Sequence, residues 1–417
     1  MSPARRCAYT VVRRVFEQGA YADRALHAEA GGLSKRDRAL ATALAYGTVQ
    51  RKRTLDHLLA PLVSRTLDRL DPPVLASLRL GCFQIAFMDR VPQRAAVHES
   101  VQLVKDGGRG GAQLVNAVLR RAARETPEQL ARLDDGTPQA AAILHSVPDW
   151  LAELWWSELG ADEARALLAV INQPAESALR VNTLRGADVE LPVRAQPAPE
   201  LPEGRILEEP FDVYASPLWQ VGAVMPQSRG SMLVARTVDP QPGERVLDMC
   251  AAPGAKTTHL AALMGGEGEV IAVEVHPGRA RALAETCARM GADCVQVQPV
   301  DALTSDLTGS FDRVLVDPPC SGLGTLQSRP DLRWQPRRGE IAALSEKQSA
   351  LLIRGAQATK PGGTLVYSVC TISEAEGRRV VERLLQERSD FTIDQCRQLM
   401  PNRDRTDGFF IARLRRA

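Results

Sequence analysis

From about residue 243 onward the chain alternates short apolar runs with helical stretches. The runs are Arg245-Val-Leu-Asp-Met249, Val270-Ile-Ala-Val-Glu274, Cys294-Val-Gln-Val-Gln298, Arg313-Val-Leu-Val-Asp317 and Thr364-Leu-Val-Tyr-Ser-Val369. Residues 256–264 and 280–290, between the first three, carry helical spacing. Apolar strands of this kind are buried on both faces, which requires a parallel sheet covered by helices. The pattern specifies a doubly wound α/β domain, with Gly408-Phe-Phe-Ile-Ala-Arg-Leu414 as a late edge strand. Ligands of such sheets sit beyond the carboxyl ends of the strands. Acids mark those ends here: Asp248, Glu274 and Asp317 close the first, second and fourth runs, and Asp301 follows the third.

The front of the chain is of another kind. Ala8-Tyr-Thr-Val-Val-Arg-Arg-Val-Phe16 and Arg38-Ala-Leu-Ala-Thr-Ala-Leu-Ala-Tyr46 have helical periodicity, and Gly47 is expected to cap the second. Residues 73–87 are apolar almost throughout and read as the central buried helix. Residues 95–104 and 112–120 add two more around the glycine-rich loop 107–111. The first 126 residues are thus an all-helical bundle. A Glu-, Asp-, Gly- and Pro-rich linker is expected over residues 125–138. After it, Val147-Pro-Asp-Trp150-Leu-Ala-Glu-Leu-Trp155 spaces its tryptophans as core anchors. Leu179-Arg-Val-Asn-Thr-Leu-Arg185 is strand-like, and the proline-rich residues 191–210 read as a loop or loose edge. The boundaries follow as 1–126, 127–230 and 231–417.

Charge divides along the same lines. Residues 1–126 carry 21 Lys+Arg against 11 Asp+Glu, and the rest 31 against 39, within a whole-chain net of +2. A basic front suggests a polyanion partner, with Arg5, Arg6, Arg13 and Arg14 the first docking candidates; solvated helix faces are the plainer alternative. Aromatic residues make up only 4%, which leaves little for a base-stacking platform. The eight cysteines include no Cys-x-x-Cys pair and no Cys/His cluster at zinc spacing, so neither a metal site nor a disulfide framework is expected. With no apolar stretch long enough for a bilayer and no secretory core, we expect a cytoplasmic monomer with reduced thiols.

The first apolar run ends in the turn Asp248-Met-Cys-Ala-Ala-Pro-Gly254-Ala-Lys256, whose following helix offers free amides to a carboxylate or phosphate. A P-loop would need glycine where Cys250 and Ala255 stand, so an NTPase is not supported. The acid pattern separates a site for S-adenosylmethionine (SAM) from a dinucleotide site: Glu274 is placed for both ribose hydroxyls and Asp301 for the adenine amine. Two thiols complete the constellation: Cys320 in Asp317-Pro-Pro-Cys320-Ser-Gly and Cys370 in Leu365-Val-Tyr-Ser-Val-Cys370-Thr. Amino-group methyltransferases tend to carry an aromatic residue where Cys320 stands, so exocyclic amine methylation is the lesser reading.

These motifs resemble the RNA cytosine-C5 methyltransferases of the RsmB/NOP family. At the front, Tyr46-Gly-Thr-Val-Gln-Arg51, Leu55-Asp-His-Leu-Leu59 and Val115-Asn116-Ala-Val-Leu-Arg120 look like the NusB-like domain that precedes the catalytic half in bacterial small-subunit rRNA cytosine methyltransferases. The resemblance implies a NusB-like RNA-binding bundle, a small α/β subdomain and a Rossmann-like SAM methyltransferase domain. It implies that Cys370 is the nucleophile at C6, that Cys320 assists release, and that Asp317 stabilises the protonated N3 face. It assigns the cofactor to Cys250, Ala251, Ala252, Pro253, Gly254, Ala255, Lys256, Glu274, Asp301 and Asp317. The target base must leave its stack, which favours unfolded or early-assembly small-subunit rRNA. Arg329, Pro330, Asp331, Arg333 and Trp334 would line the RNA channel, with Arg337 and Arg338 on phosphates. A tRNA cytosine-C5 methyltransferase and a non-catalytic antitermination or ribosome-assembly factor are the alternatives.

Three departures from the family pattern stand out. Ala255 replaces a second glycine, Gln227-Ser-Arg-Gly-Ser231 lacks an acid, and Val369 replaces a hydroxyl residue before Cys370. Cys7, Cys82, Cys287, Cys294 and Cys396 are expected to be inert buried thiols.

Overall fold

The computed structural model describes residues 2–105, 109–186, 188–307, 311–335 and 338–417. It divides into two units, Met1–Gln173 with Leu326–Pro336, and Pro174–Thr325 with Arg337–Ala417. Gly107, Gly108, Arg337 and the Arg338 side chain, to which loop and phosphate roles were assigned above, lie outside the described residues. No helix among the described residues is long and apolar enough to cross a membrane.

The first unit is helical. Helices α1 (Pro3–Gln18), α2 (Ala22–Glu29), α3 (Lys35–Gln50), α4 (Lys52–Leu59), α5 (Pro72–Phe87), α6 (Gln93–Leu103) and α7 (Arg109–Ala131) enclose one apolar core, and α8 (Pro138–His145), α9 (Asp149–Leu159) and α10 (Ala161–Val170) follow. Helix α5 is buried nearly all round, as its apolar run demands. Arg109, Gly110 and Gly111, expected as part of a loop, are the start of α7, and two further local expectations fail for packing reasons. Gly47 does not cap α3, which continues to Gln50; it faces α5, where a Cβ would lie 2.0 Å from Phe83 Cζ. Residues 125–131 are not linker but the last turns of α7. Pro127 removes one ladder hydrogen bond there, while Thr126 is buried and Glu125 pairs with Arg121 at 3.2 Å. Trp155 is fully buried, as expected of a core anchor, whereas Trp150 is half-exposed.

The second unit opens with an antiparallel sheet of order β2-β3-β1-β4, made by β1 (Ala178–Val181), β2 (Ala195–Ala198), β3 (Leu201–Leu207) and β4 (Val224–Pro226). Residues 195–207, expected as a loop or loose edge, are a hairpin whose first strand is the edge of this sheet. Pro197 is tolerated because β2 is an edge strand, and Pro202 lies beyond the residues of β3 that pair with β1. Short helix α11 (Pro217–Gln220) and α12 (Arg229–Val238) lead into the main sheet.

That sheet has the order β10-β11-β9-β8-β5-β6-β7. Strands β5 (Arg245–Asp248), β6 (Glu269–Val273), β7 (Val295–Gln298), β8 (Phe311–Val316) and β9 (Thr359–Val369) run parallel. Strands β10 (Phe391–Leu399) and β11 (Phe409–Arg416) add an antiparallel pair, so the expected edge strand at 408–414 is interior and β10 is the edge. Its mostly exposed, polar sequence hides it from an apolar-run search. Helices α13 (Ala255–Leu263), α14 (Pro277–Met290), α15 (Arg338–Ala358), α16 (Arg378–Glu387) and short α17 (Pro401–Asp404) complete the doubly wound, Rossmann-like fold. The chain moves outward from β5 through β6 to β7, then returns to place β8 on the other side of β5. The switch point therefore lies at the carboxyl ends of β5 and β8.

Candidate active site

Strand β5 ends at buried Asp248, whose carboxylate accepts from Thr257 Oγ1 at 2.7 Å. The loop that follows is tied to β6, because the Ala251 amide donates to Val273 O at 3.0 Å. Gly254 takes φ +105° to enter α13, and a Cβ there would stand 2.8 Å from Leu283 Cδ1, so no other residue fits. Ala255 is the first residue of α13 in right-handed geometry, which alanine adopts as readily as glycine. No side chain caps α13, leaving its first amides aimed at the crevice. The Cys250 thiol, partly exposed beside this loop, is pushed up by burial and by the acids around it.

Lys256 crosses from α13 to the end of β8. Its Nζ donates to Asp317 Oδ2 at 2.7 Å, and Ser368 Oγ donates to Asp317 Oδ1 at 2.7 Å. Burial works against the ammonium charge, but Asp317 more than offsets this and raises the lysine above its ordinary value. Glu274 is buried after β6, with Oε1 accepting from the His276 amide at 2.9 Å and from Arg279 Nε at 3.1 Å. Asp301 is exposed after β7 and turns its own loop through the Leu303 amide at 2.9 Å.

Beyond β8 and β9 the two sequence-selected thiols meet: Cys320 Sγ and Cys370 Sγ are 3.3 Å apart, each partly exposed. Their environments shift the two thiols in opposite directions. The hydrogen bond from Cys320 lowers Cys370, opposed by burial and Asp317 and aided by the Lys256 cation. The same bond, with burial, pushes Cys320 well above the usual thiol range. When the pair gives up a proton, the negative charge falls on Cys370 and the remaining proton stays on Cys320.

The remaining sequence candidates fall elsewhere. Residues 326–335 belong to the helical unit. There Arg333 is fully buried, donating to Asn172 Oδ1 at 2.8 Å and to the carbonyls of Ser146 at 3.2 Å and Leu326 at 3.1 Å. Trp334 Nε1 donates to Val49 O at 2.8 Å. Fully buried Arg333, its donors committed to carbonyls, cannot line an RNA channel, and half-buried Trp334 has its N–H committed to α3; of this segment Arg329 is exposed and Pro330 and Asp331 are buried. Cys396 is exposed on β10 and Cys294 partly exposed, so neither is the buried thiol expected, while Cys7, Cys82 and Cys287 are buried. Where the family has an acid after Gln227, Ser228 caps α12, and Gln227 Oε1 accepts from fully buried Arg180 at 2.9 Å. Val369 is buried in the core, and Thr371 supplies the hydroxyl beside Cys370. Sequence reasoning missed Ser368 and Glu376, whose only signal was polarity within an otherwise apolar strand and its following loop.

Comparison with known proteins accounts for both units. Residues 235–415 match the family model for 16S rRNA methyltransferase RsmB/F, and residues 2–124 that of the NusB family. The chain is 36% identical to ribosomal RNA small subunit methyltransferase B of Thermus thermophilus over 92% of this chain and 89% of that protein. It is 30% identical to the protein of the same name from Salmonella paratyphi B over 98% of each. The solved structure titled "Crystal Structure of PH0851" superposes with a TM-score of 0.85 at 26% identity, covering 99% of this chain and 98% of that one. A NusB-type helical domain, a Rossmann-like domain and full-length relatives under one name lead to one conclusion: the chain belongs to the 16S rRNA methyltransferase RsmB/F family of SAM-dependent enzymes.

Proposed function

We propose that this protein methylates C5 of a cytosine in small-subunit rRNA through a covalent bond from Cys370 to C6. The observation that carries the reading is the 3.3 Å thiol pair beside the Lys256–Asp317 ion pair at the switch point. Cytosine C5 is a poor nucleophile until a thiolate adds to C6 and turns the ring into an enamine. The Cys370 thiolate makes that bond while N3 takes a proton from solvent, and the Asp317 carboxylate accepts a hydrogen bond from the resulting N3–H. Lys256 holds Asp317 in place and favours the Cys370 thiolate. SAM, when bound, supplies an electrophilic methyl group. With Cys370 bonded as a thioether, Cys320 gives up its own proton to solvent and, as a thiolate, takes the C5 proton; the C6–S bond then breaks, Cys370 leaves as a thiolate and N3 returns its proton to solvent.

The donor set suits the cofactor. The uncapped amides of α13 match a carboxylate, and the crowded Gly254 turn keeps the loop backbone close to the crevice. The His276 amide and the Arg279 guanidinium contact Glu274 at Oε1, which leaves Oε2 for a ribose hydroxyl, and exposed Asp301 suits an adenine amine. A base approached by a thiol and a methyl group must be unstacked, which supports rRNA that is unfolded or in early assembly.

The helical unit offers a docking surface for that RNA. Arg94, Arg120 and Arg124 rim a groove of about 460 Å³ between α6 and α7, all exposed and without an ion pair among the described residues. Of the arginines singled out on α1, Arg13 pairs with Glu17 at 2.7 Å, Arg14 pairs with Glu29 at 3.0 Å, and Arg5 Nε donates to Gln84 at 2.7 Å.

The test is a denaturing gel of Cys320→Ala incubated with SAM and protein-free small-subunit rRNA. A slow protein–RNA band that vanishes when Cys370 is also removed is expected. No band, while wild-type protein places 5-methylcytosine in the same RNA, would refute the covalent assignment.

A further inference from the structure

Six residues after Cys370, Glu376 is fully buried with no cation paired to it among the described residues. Its Oε1 accepts from the Ser321 amide at 2.8 Å and from Gln348 Nε2 at 3.1 Å. Its Oε2 accepts from Ser321 Oγ at 2.5 Å and Thr371 Oγ1 at 3.3 Å, and those two hydroxyls are 2.8 Å from each other. The contacted residues are the immediate successors of the two thiols: Ser321 follows Cys320, and Thr371 follows Cys370. The backbone behind the carboxylate is fixed as well. Tyr367 Oη donates to Glu376 O at 2.6 Å, Ser345 Oγ to Ala375 O at 2.6 Å, and Gln348 Nε2 to Pro319 O at 3.0 Å.

A buried carboxylate without a counter-ion is costly, and a neutral side chain of the same volume would fill this space at less cost. All its partners are neutral donors, so packing alone does not require the charge. Its charge is one of the influences that raise Cys320, behind the hydrogen bond to Cys370 and burial.

We propose that Glu376 is a positioning residue for both thiols: it staples the Cys320 loop to the Cys370 loop and sets a buried negative charge against the residue that follows Cys320. This rests on the covalent reading above for its catalytic consequence, but not for its physical content. The two tasks can be separated by substitution. In Glu376→Gln the side-chain oxygen can keep the Ser321 amide and Gln348, while the new NH₂ donates to the Ser321 or Thr371 hydroxyl, each able to accept. The staple survives and the charge is lost. Glu376→Ala removes both.

The first experiment measures iodoacetamide labelling of the Cys320 peptide against pH by mass spectrometry, in full-length Cys370→Ala with and without Glu376→Gln. We expect the labelling midpoint to move to lower pH when the charge is removed. An unmoved midpoint would overturn the electrostatic role, since a merely structural carboxylate is replaced by its amide without consequence for Cys320. The second experiment runs Glu376→Ala beside Cys320→Ala in the gel assay. We expect methyl transfer to fall about tenfold or more, the effect of a lost hydrogen bond to a charged group. KM for SAM should stay unchanged, and a Cys370-dependent covalent band should accumulate. Wild-type turnover without a band in Glu376→Ala, while Cys320→Ala shows one, would overturn the staple. If Glu376→Ala does not fold, Glu376→Gln decides through the labelling midpoint. A blank Cys320→Ala lane beside active wild type would count against the covalent mechanism, and the labelling result would still judge Glu376.

Discussion

Asp248 and His259 are both buried in the catalytic unit and titrate in opposite senses, which leads to a pH signature that one substitution should expose. Burial pushes the Asp248 carboxyl up from 3.8 to about 7, only partly opposed by the Thr257 hydrogen bond. Burial, with nearby Arg180, pushes His259 down from 6.5 to about 4, against the pull of Glu203. For Asp248 the folded value lies above the unfolded one, so its stabilising contribution is complete below pH 3.8 and is lost as pH rises through about 7. For His259 the folded value lies below, so its contribution is complete above pH 6.5 and is lost as pH falls through about 4. At ~1.36 kcal/mol per pH unit these correspond to ceilings of about 4 and about 3 kcal/mol, so between pH 4 and 7 they nearly cancel. Burial also works against the Glu203 charge, but hydrogen bonds from His259 and Arg236 outweigh it and hold that carboxyl below the window. Asp248→Asn retains an oxygen for Thr257 and removes one side of the balance. The variant should then lose about 3 kcal/mol between pH 7 and pH 4 that wild type does not lose. Denaturant-dependent hydrogen exchange, followed by mass spectrometry on peptides from β5 and β8, reads this unit within the intact protein. Parallel pH curves for wild type and Asp248→Asn would refute the reasoning.

Three other outcomes follow from the geometry. Replacing Arg94, Arg120 and Arg124 with glutamine should weaken RNA binding and reduce the slope of log Kd against log salt by about 2, at ~0.7 per phosphate contact on single strands; the same change at Arg13 and Arg14, already paired with Glu17 and Glu29, should leave the slope unchanged. Gly47→Ala drives a methyl group into the Phe83 ring and should destabilise the helical unit by about 1–3 kcal/mol, seen as a lower Tm in tryptophan fluorescence. Lys256→Met removes a cation that favours the Cys370 thiolate, so methyl transfer at pH 7.5 should fall about tenfold and partly recover as pH rises; a deficit independent of pH would place the lysine elsewhere in the mechanism.

How much of this was legible in the sequence depends on how local the signal is. Strands β5, β6, β8 and β9 are buried on both faces, so each announces itself as an apolar run, and the acids at their ends stand out against it. Strand β10 is an exposed edge, and hairpin β2–β3 contains prolines that only its pairing partners make tolerable. Gly47 carries the composition of a cap, but the neighbouring helix α5 determines its use. Arg333 and Trp334 look like nucleic-acid contacts in a linear motif; only the fold shows that their donors meet the carbonyls of α3 and the loops around Ser146 and Leu326. Glu376 is an acid among acids in Ser373-Glu-Ala-Glu376, and what distinguishes it from Glu374 is burial, which no spacing rule supplies.

The chemistry of the proposed cycle also explains why a thiol, and not a stronger base, suits position 320. Before attack, the largest influence raising Cys320 is its hydrogen bond to Cys370, so when the pair loses a proton the charge falls on the nucleophile. A carboxylate at that position would be ionised from the start and would repel the thiolate 3.3 Å away. Once Cys370 is bonded to C6 its sulfur is a neutral thioether, and the charge that kept the Cys320 proton in place is gone. Cys320 becomes a stronger acid, and therefore able to ionise, only at the stage when the C5 proton has to be removed. When the C6–S bond breaks, charge returns to Cys370 and the proton on Cys320 is again held by it. Glu376 adds to this hold on the Cys320 proton. Too little negative charge behind Cys320 would let it compete as a thiolate in the resting enzyme. The staple keeps the exchange within the reach of a single hydrogen bond.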